Sequence, residues 1–597
     1  MATNKIVTKS ENFNVEYCAS VVRIGECFPI EGKDKIQRTI VNGETIVISK
    51  DIKEGDVMIY ASNETQLNKS FLGANNLFES GASELNANYG ELKDLIDNKD
   101  NLKKKIESLE KRNKALDSNA KFLVFYESEV VACMGDVEKI SRLNAKRDIA
   151  RKFIMKFTSE VTDSNTDTEF ITQAKALFDQ NKINIASAKE ELDNISKTVK
   201  TKVGFFNKTG RVRSIRLGGV SSMGFLFGAK ELENWKPCVK DINFDELVGE
   251  DFDTVDGEEF IKAYVPYVPP QRTSASKDQK RNKKVEKFDR MVKGEFEFHY
   301  STSPLPKCIQ YFSPTDEVDI TIKIHGTSAI FGKLKVKNPK KLPLHKALWN
   351  KFVDTTGWFK DHRIDDYTVE YGNVTSSRTV IKNQYINKEV TDGYYGVDVW
   401  SEYGNLIYPY LEEGMTIYGE IMGYLTGSDK MIQKKYDYGC EVGTNKLMIY
   451  RITTTDPNTN LKREWEIEDV KNWTENLITR LESIGETELA ARIHPIDILY
   501  HGTLANLYPD LSLTEHWHEN LLELMRNDSE RFHMEEKCPL CNNNVPFEGV
   551  VIRKVGDPRV EAFKLKTKAF TEHERAFIDE VEKGNETLPD EMIETYA

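Results

Sequence analysis

Nowhere in the 597 residues does an apolar run approach the roughly 18 residues needed to cross a bilayer, and the amino-terminal stretch MATNKIVTKSENFN lacks the apolar core of a secretory signal. A cytoplasmic protein with no membrane partner is the expectation. Cysteine is also scarce: eight residues over this length form no disulfide framework, in keeping with a reducing compartment. Excess positive charge is missing. A formal net charge of −13 argues against indiscriminate binding to nucleic acid, because phosphate contacts follow local lysine and arginine density, but it leaves room for a local basic groove. Proline is absent from Glu31 to Lys236, so nothing in that span interrupts a long helix.

What is present describes a globular chain. Hydrophobic residues make up 39% and charged residues 30%, with 24 Tyr and 29 Phe, which excludes a disordered polymer. Length alone suggests on the order of three or four domains. In RTIVNGETIVIS, Asn42-Gly43 between two β-rich runs predicts a hairpin, since both residues tolerate positive φ. Leu95, Leu102, Leu109 and Leu116 then recur every seven residues, with Leu92 and Ile106 at the companion position, the seam of a coiled coil interrupted at Lys99 and Asn113. Further amphipathic segments near 137–161 and 170–199 complete a helical hairpin or three-helix projection.

Strand character resumes at VGFFNKTGRVRSIRLGGVSSMGFLFG, where Arg211 and Arg213 alternate with Val212 and are followed by Arg216, close to Phe205 and Phe206. Read together with residues 1–83, residues 200–232 complete a small five-stranded barrel of the OB type, with 84–199 as a helical coiled-coil insertion. Such barrels bind single strands by combining basic side chains with aromatic stacking, and an ordinary barrel with an arginine-rich outer face fits these residues equally well. Residues 233–290 read as a connecting segment and flexible linker, because YVPYVPPQRTSASKDQKRNKK is Pro-rich and then Ser/Lys-rich. Residues 291–597 alternate strands and helices, giving a multidomain α+β chain overall.

The chemistry gathers in this last part. In VDITIKIHGTSAIFG, Val318, Ile320, Ile322 and Ile324 alternate with Asp319, Thr321, Lys323 and His325, so an amine and an imidazole leave one strand face just before Gly326. Alone, Lys323 reads as a surface lysine and His325 as its neighbour. Later segments supply complementary groups: Arg378 in TSSRTVIKN, able to fork onto a phosphate; Glu420 between glycines in MTIYGEIMGY, able to accept from ribose hydroxyls; and Tyr450 in LMIYRITT, a ring to stack on a base. Glu548 opens the apolar run of VPFEGVVIRK, suited to Mg²⁺ or Mn²⁺, and Lys564 and Lys566 in EAFKLKTKAF emerge on one side of a strand.

This series resembles the covalent nucleotidyltransferases, the superfamily of ATP-dependent RNA and DNA ligases and mRNA capping enzymes, over Glu295 to about Phe570. Lys323-Ile324-His325-Gly326 matches the Lys-x-x-Gly motif whose lysine is the nucleophile, and the His-Gly form is most similar to the phage RNA ligase 2 branch. The resemblance implies a nucleotidyltransferase domain built on antiparallel sheets with flanking helices. It assigns Arg378 to the second motif, Glu420 to the ribose, Tyr450 to the base, Glu548 to the metal, and Lys564 and Lys566 to phosphates. An OB-like domain ahead of the catalytic one resembles the Deinococcus-type RNA ligases. Ser328 stands where asparagine is frequent, and Ile322 where an acidic residue often precedes the lysine.

The implied activity is ATP-dependent sealing of 3′-hydroxyl and 5′-phosphate ends of RNA, or of an RNA-containing nicked duplex. It would run through lysyl-AMP and an adenylated 5′ end, with ATP and Mg²⁺ or Mn²⁺ as cofactors and Arg211, Arg213 and Arg216 contacting nucleic acid. An ordinary lysine, with a pKa near ~10.4, must first lose its proton, which nearby cations favour. A capping-type guanylyltransferase, a DNA ligase or a noncatalytic RNA-binding scaffold are the rival readings, and the coiled coil offers a route to self-association. Cys538-Pro-Leu-Cys541 is half a zinc site, and a structural or unligated pair is the simpler reading than zinc.

Overall fold

The computed structural model describes residues 6–266, 288–300, 302–356, 362–386, 397–514, 516–534, 537–556 and 561–584. Most of the expected linker, from 267 to 287, lies outside the described residues. None of the described helices is long and apolar enough to cross a membrane.

Two sheets build the carboxy-terminal part. The first runs Ser303–Pro304, Ala562–Lys566, Gly549–Lys554, Glu317–Ile322, Ile498–Thr503, with its four longer strands antiparallel to their neighbours and the short first strand parallel. The second runs Tyr367–Ser376, Thr327–Pro339, Met415–Gly423, Asn445–Thr455, Lys462–Glu464, with Ile493–Pro495 added alongside Asn445–Thr455. Alternation explains the first sheet's central strand: Val318, Ile320 and Ile322 are buried in one core shared with Phe331, Ile417, Ile421 and Ile449 of the second sheet. Helices Val399–Ile407 and Ile467–Ser483 bury apolar stripes against the same core. Residues 323–326 form the short passage between the two sheets.

The amino-terminal part carries a four-stranded sheet in the order Phe225–Phe227, Val57–Ala61, Ala19–Arg23, Asp251–Phe252 and a three-stranded sheet of Cys27–Pro29, Ile36–Val41 and Glu44–Ser49. The Asn42-Gly43 turn is present, at φ 48° and 73°. Reading 233–290 as a connector needs correction. Val239, Phe244, Phe252, Val255, Phe260 and Ile261 are buried in the amino-terminal core, and Ile261–Ala263 pairs with Thr65–Leu67. The strands concerned are two or three residues long, too short to display a period in sequence.

Three helices, Tyr89–Ala132, Val137–Met155 and Asp167–Lys200, leave this unit. The first buries Leu92, Leu102, Ile106, Leu109 and Leu116 on one face, mostly against the third. Asn113, the polar interruption of the heptads, is buried and accepts a 2.8 Å hydrogen bond from Asn181 of the third helix, which pins the register of the two.

Candidate active site

Lys323 follows directly on the end of the Glu317–Ile322 strand, where its backbone N–H donates to the carbonyl of Gly549. Its Nζ lies 2.9 Å from Oε1 of Glu548, whose side chain is only 5% exposed. Gly326 permits the close fit of this passage: a Cβ there would lie 2.5 Å from the Ile421 carbonyl oxygen and 2.7 Å from Cγ of Glu420. Gln433 donates to the Gly326 carbonyl and the His325 N–H donates to the Tyr438 hydroxyl, so the backbone is held from two sides.

Above this passage opens a cleft of about 810 Å³ between the two sheets. Thr321, Val551 and Arg553 line it from the first sheet, and Ser328, Glu420 and Tyr450 from the second, with Lys323 and Arg378 at its wall. Registers account for the grouping, since Asp319 faces Arg553, Thr321 faces Val551, and Ser328 faces Glu420. The Tyr450 ring meets the His299 ring edge at 5.3 Å between centroids.

A second cleft, about 1050 Å³, lies between the amino-terminal and carboxy-terminal parts. Lys564 and Lys566 line it together with Glu16, Ser62, Glu64 and Glu574. Lys564 is ion-paired with Glu16 at 2.6 Å and Lys566 with Glu574 at 2.8 Å. Burial pulls the Lys564 ammonium below the usual lysine range, with Lys566 and Lys323 adding repulsion against the pull of Glu16. Burial acts on Lys566 in the same sense, but the carboxylates of Glu574, Glu548 and Glu16 outweigh it and hold that ammonium above its ordinary value. His325 packs edge-on to Tyr436 and Phe570, and burial lowers its pKa to about 4, so its ring is neutral near pH 7.

Lys323, Arg378, Glu420 and Tyr450 thus meet in one cleft, Glu548 bridges to Lys323, and Lys564 and Lys566 face the other cleft. The nucleic-acid assignment of Arg211 is overturned. Its side chain is fully buried, ion-paired with Glu64 at 2.8 Å and Asp579 at 3.0 Å, with Glu582 at 3.4 Å, because helix Lys568–Glu582 docks across it. Arg213 is half-buried outside any strand, and Arg216 is exposed on the short strand Ile215–Leu217. Cys538 and Cys541 are buried, and among the described residues no group of three or more His, Cys, Asp or Glu is arranged to hold a metal.

Reading the sequence missed His299, the pocket roles of Asp319 and Arg553, and the anchoring tyrosines Tyr436 and Tyr438. A signal existed for two of them. Asp319 shares the strand face of Thr321 and Lys323, and Arg553 that of Val551.

Scanned against protein-family models the chain finds no match, and no curated protein matches it. Solved structures of Naegleria gruberi RNA ligase are similar over nearly its full length. A point mutant with AMP and Mn is 15% identical, covering 93% of this chain and 98% of that one at a TM-score of 0.41. A second mutant with ATP and Mn is 14% identical at 0.40, over 93% and 98%, and the ligase with PPi is 13% identical at 0.41, over 94% and 99%. Identities and scores this low leave the functional reading to the chain's own residues.

Proposed function

We propose that the chain is an ATP-dependent RNA ligase that joins 3′-hydroxyl and 5′-phosphate ends through a lysyl-AMP intermediate. The observation that carries the reading is the position of Lys323: its amine sits where the two sheets join, 2.9 Å from Glu548, at the wall of a cleft that also presents Arg378, Glu420 and Tyr450. The Lys323 nitrogen, once deprotonated, attacks the α-phosphorus of ATP. An N–P bond forms, the bridging P–O bond to the β-phosphate breaks, and pyrophosphate leaves with the electron pair. AMP then passes to a 5′-phosphate, and a 3′-hydroxyl displaces it to form the phosphodiester.

Tyr450 and Val551, on opposite sheets, offer faces to a base, and Glu420 an acceptor to ribose. Lys566 and Lys564 supply the positive charge that answers a polyphosphate. A divalent cation such as Mg²⁺ or Mn²⁺ suits Glu548, whose Oε2 is buried without a hydrogen-bond partner, because such ions take one or two carboxylates beside phosphate oxygens. Bound there, it would neutralise phosphate charge. Arg213 and Arg216 are the remaining candidates for contacts with the RNA backbone on the amino-terminal part, where an OB-like role is part of the same reading.

Incubation with labelled ATP or GTP tests the proposal. Covalent label from ATP, lost in Lys323→Ala while that variant still seals a pre-adenylated strand, is expected. Label from GTP alone, or label persisting in Lys323→Ala, contradicts it.

A further inference from the structure

Cys538 and Cys541 take no part in the nucleotide site, yet they are packed as a pair. They close a tight turn, in which the Cys541 N–H donates to the Cys538 carbonyl and the Cys538 N–H to that of Val545. Both residues are buried, at 3% and 7% exposure, while Pro539 and Asn542 of the same turn are exposed, so the thiols lie just beneath the surface. Each acts on the other. Hydrogen bonding between the thiols lowers the Cys538 pKa and raises that of Cys541, and the N–H groups of Leu540 and Cys541 further favour a Cys538 thiolate. A thiolate beside a protonated thiol is the arrangement from which a disulfide closes. Among the described residues no His, Cys, Asp or Glu joins them as a third metal ligand.

The turn is tied to the loop that grips the Lys323 passage. Buried Asp437 accepts from the N–H groups of Asn542 at 2.8 Å and Asn543 at 3.0 Å, directly after Cys541. The Asn543 amide donates to the Lys435 carbonyl, and the Tyr436 hydroxyl to that of Pro546. One residue beyond Asp437, the Tyr438 hydroxyl takes the His325 N–H at 2.7 Å, and Gln433 donates to the Gly326 carbonyl at 2.7 Å. Lys435 and Tyr438 sit at φ 72° and 48°, a region that residues other than glycine seldom occupy, so the loop keeps this shape only while its neighbours hold it.

We propose that Cys538 and Cys541 are a reversible redox site, whose oxidation by a small disulfide such as oxidised glutathione slows the first step at Lys323. The Cys538 thiolate attacks one sulfur of the oxidant, forming a mixed disulfide and expelling one small thiolate. Cys541 then passes its proton to that thiolate and attacks the Cys538 sulfur. The bond between the two cysteines forms, the mixed disulfide breaks, and the second small thiol leaves with its electron pair. Two protein thiols are oxidised and one small disulfide is reduced to two thiols. Drawing the turn together shifts the Asn542 and Asn543 N–H groups against Asp437 and so disturbs the hold of Tyr438 on the passage. The effect on Lys323 chemistry rests on the nucleotidyl-transfer reading above, whereas the disulfide itself does not.

The test begins with the unsubstituted protein, equilibrated in glutathione buffers from fully reduced to fully oxidised, its remaining thiols then blocked with iodoacetamide. Trypsin releases both cysteines in one peptide, 538–553. Its mass should show the pair unblocked and oxidised in the oxidising buffers, and blocked in the reducing ones. Single-turnover transfer of AMP from labelled ATP in the same samples should slow by about fivefold or more on oxidation and recover with dithiothreitol. Cys541→Ser should keep one rate in every buffer. Blocked cysteines in the most oxidising buffer, a disulfide that leaves the rate unchanged, a Cys541→Ser rate that still follows the buffer, or stoichiometric zinc in the purified protein overturns the inference and leaves the ligase reading standing. No transfer of AMP in any buffer overturns the ligase reading and the effect on Lys323 together, and the peptide mass then still establishes or excludes the disulfide.

Discussion

The two clefts differ in how their positive groups are held. In the one between the sheets, Arg553 makes no ion pair or hydrogen bond, and Nδ1 of His299 no hydrogen bond, among the described residues. In the one between the amino-terminal and carboxy-terminal parts, Lys564 is closed onto Glu16 and Lys566 onto Glu574. A ligand that reaches Arg553 and His299 in the first has no ion pair among the described residues to break there, although Lys323 in the same cleft is held by Glu548. An anion entering the second must displace a carboxylate that already does its work. On the proposed ligase reading, the far end of the first cleft is open to a base as it stands, whereas the phosphate end depends on ion pairs that join the two parts of the chain.

The strongest way to break this contrast is Lys566→Met. Without that ammonium, Glu574 and Glu548 face the incoming phosphates unbalanced, and single-turnover transfer of label from ATP should slow by about 100-fold or more. A loss below threefold would show that the second cleft does not serve the reaction. Next comes Arg211→Ala, whose partner Glu64 lines the same cleft. Glu64, Asp579 and Glu582 would then confront each other without their shared cation, and urea denaturation should register a loss of about 3–5 kcal/mol. A change under about 1 kcal/mol would mean the docked helix is not held by this network.

The third prediction concerns pH. His325 is neutral in the folded protein down to about pH 4, while in the unfolded chain it protonates near its ordinary value of about 6.5. Between these values the unfolded state binds the extra proton, so stability rises with pH across this window and is lost as pH falls through it, by up to about 3 kcal/mol. Denaturation midpoints measured from pH 4 to 7 should show this slope, and His325→Asn should flatten it. The smallest effect is expected for Glu16→Gln, which frees Lys564 for phosphate. KM for ATP should fall about three- to fivefold. A rise instead would show that Glu16 assists binding.

How far these features were legible depends on how far apart in the chain their causes lie. The Lys323 strand was readable because its face assignment is local: alternate residues go to the core, and the others line the cleft. The Asn42-Gly43 hairpin is equally local. Arg211 was not readable, because the same alternation looks alike whether a guanidinium meets solvent or a carboxylate. Its partners stand 147, 368 and 371 residues away. The pairing of Lys564 with Glu16 spans 548 residues. Arg553 was in plain view on the strand that follows Glu548, yet its place in the cleft wall, with no ion pair to a described residue, is defined only by the packed structure.

Peptide mapping by mass spectrometry after incubation with ATP and Mg²⁺ probes the proposed intermediate itself. A single AMP on the peptide carrying Lys323, discharged again by added pyrophosphate, is the predicted result. An unmodified Lys323 peptide, or AMP carried on a different residue, would contradict it.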